Sequence, residues 1–283
     1  MNGDGTTALV GVASLAQQLG STRPPVLLDV RWVVGAPALV EDYLAAHIPG
    51  AQFVDLDTDL ADPPGARGRH PLPDPDRLQA TLRSFGVDDG SAVVVYDGDS
   101  SVAAARAWWV LRWAGLTDVG VLDGGFAAWT RAGGQVEAGR SVAERTGSIT
   151  VRPGSLPSLE AQDVPELASA GRLIDVRAPQ RFRGEVEPID PVAGHIPGAR
   201  NLPTADLVSA SGAFLPPKIL ASRFASAGLA PQDPPVGVYC GSGVTAAQMM
   251  LAMHEAGIQA VLYPGSWSEW ISDPTRGVAT GPQ

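Results

Sequence analysis

Cys240 is the only cysteine in a chain of 283 residues. It stands in Tyr239-Cys240-Gly241-Ser242-Gly243-Val244-Thr245-Ala246, after a short apolar run (Val236, Val238, Tyr239) and before a helix-forming segment from about Ala246 to Glu255. A strand, a tight loop and a helix in that order point several backbone N–H groups into one small bowl, with the positive end of a helix dipole behind it. Such a bowl favours an anion, and the nucleophilic form of cysteine is the thiolate. The two glycines allow the positive-φ turns the bowl requires. The expected chemistry is therefore that of a reactive thiolate in an anion-binding cradle.

The elements that must hold this loop are legible as alternating strands and helices. Val26–Val30, Ala92–Tyr96 and Val119–Leu122 read as buried strands, and Val40–Ala46, Asp76–Phe85, Val102–Ala114 and Gly125–Arg131 as helices. Asp59–Pro75, rich in Pro, Gly, Arg and Asp, reads as an irregular loop. Periodicity fades after Arg131 and returns near Pro157. Then the pattern repeats. Leu27-Leu28-Asp29-Val30-Arg31 recurs as Leu173-Ile174-Asp175-Val176-Arg177, a shift of 146 (29 to 175). His47-Ile48-Pro49-Gly50-Ala51 recurs at His195–Ala199, a shift of 148 (47 to 195). Val95-Tyr96-Asp97-Gly98 recurs as Val238-Tyr239-Cys240-Gly241, a shift of 143 (96 to 239), and Gly124-Gly125-Phe126 with Trp129 as Gly265-Ser266-Trp267 with Trp270, a shift of 141 (124 to 265).

Four blocks in one order at a nearly constant shift make the chain a tandem duplication of one α/β domain. Strands alternating with helices imply a mostly parallel sheet with helices on both faces. The expected division is 1–135, a linker at 136–157, and 158–283. Ligands of such sheets sit beyond the carboxyl ends of the strands. Cys240 occupies that place in the second half, and Asp97 occupies it in the first. A carboxylate cannot replace a thiolate and repels an anion, so only one half is chemically competent.

Composition bounds the partners. Thirty acidic against twenty basic residues give a net charge of −10, which argues against nucleic acid. A single cysteine cannot close an intrachain disulfide, and an exposed reactive thiol suits a reducing compartment, so a cytoplasmic location is expected. Met1-Asn2-Gly3-Asp4-Gly5 lacks the basic start of a secretory leader, and no apolar run approaches the ~20 residues of a membrane span. His70 and His254 have no ligand-like spacing to each other or to Cys240, so no metal site is expected, and nothing in the sequence calls for a cofactor. Trp108, Trp109 and Trp113 fall at helical spacing and read as core.

The doubled domain, the Asp-Val-Arg and His-Ile-Pro-Gly-Ala blocks, Cys240–Thr245 and Gly-Ser-Trp-Ser-Glu-Trp together resemble the rhodanese-type sulfurtransferases, from about Ala8 to Ile271. Within them the loop 240–245 looks like the mercaptopyruvate branch, because Gly241-Ser242 follows the cysteine where the thiosulfate branch carries charged residues. The resemblance implies two rhodanese-like domains and a sulfur-transfer cycle. Cys240 would take a sulfane sulfur from an anionic donor, thiosulfate or 3-mercaptopyruvate, and pass it from a persulfide to cyanide, a thiol or a thioredoxin-like protein. The N–H groups of Gly241, Gly243, Val244 and Thr245 and the Ser242 hydroxyl would hold the anions. Arg181 matches a substrate-carboxylate arginine, which suits a planar, forked guanidinium. A second arginine usually lies some nine residues on, where this chain has Asp190; Arg183 is the expected compensation. His47 matches a histidine paired with the loop serine, here Ser242, with Glu41 or Asp42 as its carboxylate. Arg177 is expected to make a structural pair, since its twin Arg31 lies in the half without a nucleophile.

Two other functions fit parts of the pattern. A cysteine phosphatase also cradles an anion beside a thiolate, but it needs an arginine six residues after the cysteine, and that position is Ala246. A dedicated sulfur carrier, loading Cys240 and discharging it to one partner protein, would share the persulfide.

Overall fold

A computed structural model describes residues 7–282; Met1–Gly5, read above for a leader, lie outside it. The chain forms two compact units. Among the described residues one comprises 7–62, Leu72–Leu156 and Val208–Phe214; the other comprises Pro63–Pro71, Pro157–Leu207 and 215–282. The segments 63–71 and 208–214 are repeat equivalents, since 63 to 208 is a shift of 145 and 71 to 214 a shift of 143. Each half thus lends the same loop to the unit built by the other.

The strands in chain order are β1 (Leu9–Val10), β2 (Val26–Asp29), β3 (Gln52–Phe53), β4 (Val93–Tyr96), β5 (Val119–Leu122), β6 (Leu173–Asp175), β7 (Arg200–Asn201), β8 (Val236–Tyr239) and β9 (Ala260–Leu262). In the first unit they pair in the order β1-β5-β4-β2-β3, and in the second β7-β6-β8-β9, with parallel partners throughout. The second sheet keeps only a trace of a fifth strand, a parallel bridge between Ser158 and Leu262. The central strands β4 and β8 are buried along their whole length. That burial explains why they read as continuous apolar runs rather than alternating ones.

The register carries the site. Asp29 lies beside Tyr96 and Asp175 beside Tyr239, so each Asp-Val-Arg block ends next to the loop that follows the central strand. The helix after each loop, Val102–Trp113 or Val244–Glu255, is buried on nearly every side. Trp108, Trp109 and Trp113 are among the buried residues. Cores on the other faces gather Leu15, Ile48, Tyr96 and Trp129 in one unit, and Phe182, Ile196, Tyr239 and Trp267 in the other. Residues 136–156 run as a strap along the first unit. Glu137 exchanges backbone hydrogen bonds with His47, and Ile149 N–H reaches Val87 O at 3.1 Å. No helix among the described residues is long and apolar enough to cross a membrane.

Candidate active site

Cys240 follows β8 directly, and the loop 240–243 turns the chain into the helix Val244–Glu255. Gly243 makes the turn at φ +79°; a Cβ there would stand 2.3 Å from Pro264 O, so no other residue fits. The Gly243 N–H donates to Cys240 Sγ at 3.2 Å. The loop is held from the far side by the block at 265–270. Trp267 N–H donates to Cys240 O (3.0 Å) and Ser268 N–H to Gly241 O (2.9 Å). Cys240 N–H donates to Ser266 Oγ (3.1 Å), and that hydroxyl donates to Tyr263 O (2.9 Å). Ser266 is fully buried and left-handed at φ +53°, a conformation that costs a serine on the order of 1 kcal/mol. Sulfur and amides are therefore held in place before any substrate arrives.

Polar groups converge on this loop from two directions. Ser242 Oγ lies 2.8 Å from His70 Nδ1. Arg69, the residue before it, hydrogen-bonds Ser268 Oγ through its N–H (3.1 Å) and pairs its guanidinium with Asp190. A Cβ on Gly241 would stand 2.8 Å from Arg69 Nη2 and 3.7 Å from Arg181 Nη2. Arg181 forks onto Glu187, with Nε to Oε2 at 3.1 Å and Nη2 to Oε1 at 2.6 Å, and touches Asp190 Oδ2 at 3.2 Å. Burial pushes the Glu187 carboxyl up, and the Arg181 hydrogen bonds and charge, with the N–H groups of Ile189 and Asp190, bring it below its ordinary value. Burial also pushes the Asp190 carboxyl up, and the nearby Glu187 charge adds to it; Arg69 and Arg181 oppose this without cancelling it.

The rhodanese-like domain family matches residues 12–132 and again 160–273. The chain belongs to the rhodanese family. Two bacterial relatives are each 46% identical to it. One, from Mycobacterium tuberculosis, carries a thiosulfate sulfurtransferase name (SseB) and aligns over 96% of this chain and 97% of its own. The other, from Pseudomonas aeruginosa, carries a 3-mercaptopyruvate sulfurtransferase name and aligns over 94% and 97%. The crystal structure of SseA from Escherichia coli, a 3-mercaptopyruvate sulfotransferase, superposes with a TM-score of 0.81 at 33% identity, over 93% of this chain and 100% of that one. This chain is a sulfurtransferase enzyme with two rhodanese domains, each a parallel sheet flanked by helices.

Within the family frame, several expected residues sit elsewhere than the sequence suggests. Ser242 has its histidine, but it is His70 and not His47. His47 is buried in the first unit, its Nδ1 on Tyr43 O (2.9 Å) and its Nε2 on Glu137 Oε1 (3.1 Å) and Ser141 Oγ (3.0 Å). Its carboxylate is thus Glu137 rather than Glu41 or Asp42. His195 does the same local work in the other repeat, with Nδ1 on Phe182 O at 2.7 Å. Arg183 forks onto Glu185 at 2.7 and 2.9 Å, so it does not stand in for a cation at 190. Arg177 forks onto Asp175 and lies over the Trp267 ring, 4.8 Å from its centroid. Cys240, expected to be exposed, is 3% exposed. The segment 63–71 packs on the same loop, with Arg69 against Gly241 and His70 against Ser242. Both residues lie in the stretch that reads as irregular loop. The one available signal was the cluster Arg67-Gly68-Arg69-His70, a concentration of cationic side chains around a glycine.

Proposed function

We propose that Cys240 carries sulfur as a persulfide between an anionic donor, thiosulfate or 3-mercaptopyruvate, and a thiophilic acceptor. The observation that carries this reading is the Gly243 N–H donating to Cys240 Sγ at the start of a buried helix. With thiosulfate, the Cys240 thiolate attacks the outer sulfur, the S–S bond breaks, and sulfite leaves with the electron pair. With mercaptopyruvate the C–S bond breaks, and the thiol proton ends on the carbon of the departing pyruvate. The hydroxyl–imidazole pair Ser242–His70 is suited to move that proton. In both cases the enzyme is left as a persulfide anion, which the cradle amides of Gly241, Gly243, Val244 and Thr245 stabilise. Arg181 steers the donor's anionic group. Cyanide, a thiol or a thioredoxin-like protein then takes the outer sulfur and restores the thiolate. A nucleophilic thiol of this kind is served by a reducing compartment, the cytoplasm.

Intact mass after exposure to each donor tests the reading. The expected result is a gain of about 32 Da, one sulfur atom, lost again on adding cyanide. No gain with either donor overturns it. Loading that discharges only to one partner protein replaces the enzyme cycle by a dedicated carrier.

A further inference from the structure

Beside Gly241 stand two guanidinium groups and two carboxylates, and the carboxylates are held very differently. Glu187 receives Arg177, Arg181 and the backbone N–H groups of Ile189 and Asp190, so it is built into its own loop. Asp190, among the described residues, directs its carboxylate to Arg69 and Arg181 alone, one oxygen to each. A carboxylate bridging two guanidinium groups, with Oδ2 within 3.8 Å of where a Gly241 Cβ would be, occupies the place and makes the contacts an anionic donor would make next to Cys240.

We propose that Arg69 is the second donor-binding cation of this enzyme, that Asp190 is an internal counter-anion which the donor displaces from Arg69 and Arg181, and that this exchange selects a dianionic donor of the thiosulfate type. The proposal rests on the sulfurtransferase reading of Cys240. A cation missing at position 190 is supplied from segment 63–71, a sequence distance of 121 residues. Arg69 is free to make the exchange because its side chain is 28% exposed, whereas the Asp190 side chain is 3% exposed. Burial that pushes the Asp190 carboxyl up, against two neighbouring cations, marks its charge as costly where it sits. A donor with one negative charge merely replaces that of Asp190. A dianion places one more opposing charge on the same two guanidinium groups, and so gains from the exchange.

Steady-state kinetics of Arg69→Gln and Asp190→Asn, with both donors, test this. Arg69→Gln is expected to raise the thiosulfate KM by about 10- to 100-fold, the loss of one charged hydrogen-bonding group, with kcat changing far less. Asp190→Asn, which keeps the side chain's shape and removes the competing charge, is expected to lower the KM of both donors. A KM unchanged in both variants, or raised in Asp190→Asn, makes the cluster a structural ion pair and overturns the proposal while leaving Cys240 chemistry intact. A wild type with higher kcat/KM for mercaptopyruvate than for thiosulfate overturns the dianion selection. Intact mass of the wild type separates these results from failure of the underlying reading: a protein that gains no sulfur from either donor sinks both.

Discussion

The loops after the two central strands start from the same place and end in opposite states. Between Tyr96 and Val102 run five residues, Asp97 to Ser101; between Tyr239 and Val244 run four, Cys240 to Gly243. In the first loop Asp97 turns its carboxylate back into the bowl. Oδ1 takes the Ser101 N–H at 2.9 Å, and Oδ2 takes those of Ala103 and Ala104 at 3.0 and 3.3 Å. The amides that would cradle a substrate are spent on the protein's own anion. In the second loop Cys240 Sγ takes the Gly243 N–H, and the helix begins at a residue with no side chain to cap it. The borrowed loops differ as well. Segment 208–214 lays backbone on the first loop, where a Cβ on Gly212 would stand 2.0 Å from Asp99 O, while segment 63–71 brings Arg69 and His70 to the second. The missing thiol is thus one of several differences that close the first cradle.

The largest effect expected from this contrast comes from exchanging the two residues. Cys240→Ser should lower sulfur transfer by ~10⁴-fold or more, since the nucleophile is gone, with far-UV circular dichroism unchanged. Adding Asp97→Cys to that variant should restore nothing, measured as thiocyanate formed from cyanide. A thiol there meets no Arg69, His70 or Arg181 and faces backbone from 208–214. Recovered turnover in the double variant would show that the two loops differ by the cysteine alone.

Asp97→Ala probes the closed cradle as structure. Three buried N–H groups lose a charged acceptor, and the burial that pushes the Asp97 carboxyl up offsets part of the loss. Stability of the first unit should fall by about 4 kcal/mol, read as a lower Tm for its transition. An unshifted Tm would mean that water serves those amides as well as Asp97 does.

How far the chain could be read before its structure follows from what each signal depends on. The fold was legible because the duplicated blocks record local needs. Both histidines of His-Ile-Pro-Gly-Ala place Nδ1 on a nearby carbonyl, and both tyrosines 96 and 239 accept the N–H of the isoleucine that follows the histidine. The same fact explains why His47 misleads: a residue whose work is the same in both halves is a poor guide to the chemistry of one. Cys240 was legible because its flanking glycines and helix are contiguous with it. Arg69 and His70 were not, because they reach the loop by an exchange of segments that leaves no periodic trace. Asp190 accordingly read as a cation lost, when the compensating guanidinium lies 121 residues away.

A smaller difference separates the two Asp-Val-Arg blocks. Asp175 is gripped by Arg177 through Nε and Nη2, at distances down to 2.7 Å, and by the Arg177 N–H at 2.9 Å. Asp29 takes Arg31 through Nε at 3.0 Å, while Arg31 Nη2 goes to Ala46 O. Burial pushes the Asp29 carboxyl up to about 6, with Arg31 and Tyr96 only partly opposing it. A carboxyl raised in the folded state contributes stability below its unfolded value, near 4, and loses it as pH rises through about 6. Between pH 4 and 7 the first unit should therefore lose about 3 kcal/mol from this group, a slope that Asp29→Asn should flatten in a Tm–pH series. A slope that persists in the variant would assign the titration to another group.

The finest test compares Ser266 with its repeat equivalent, Gly125. Both are left-handed, at φ +53° and +59°, and both follow a strand that flanks the central one. At Gly125 a Cβ would stand 2.6 Å from Asp97 O, so the closed loop leaves no room for a side chain. At Ser266 the side chain is kept despite its backbone cost, and its hydroxyl joins Cys240 N–H to Tyr263 O. If that hydroxyl positions Cys240, Ser266→Ala and Ser266→Gly should both lower kcat by roughly tenfold, the cost of about 1.4 kcal/mol for one misheld hydrogen-bonded group. The donor KM should change little, because neither variant touches the arginines. The glycine variant decides the matter, since it removes the strain and the hydroxyl together. Full activity there would mean that position 266 needs only a left-handed backbone, and that the serine does nothing in the reacting half that glycine does not do in the silent one.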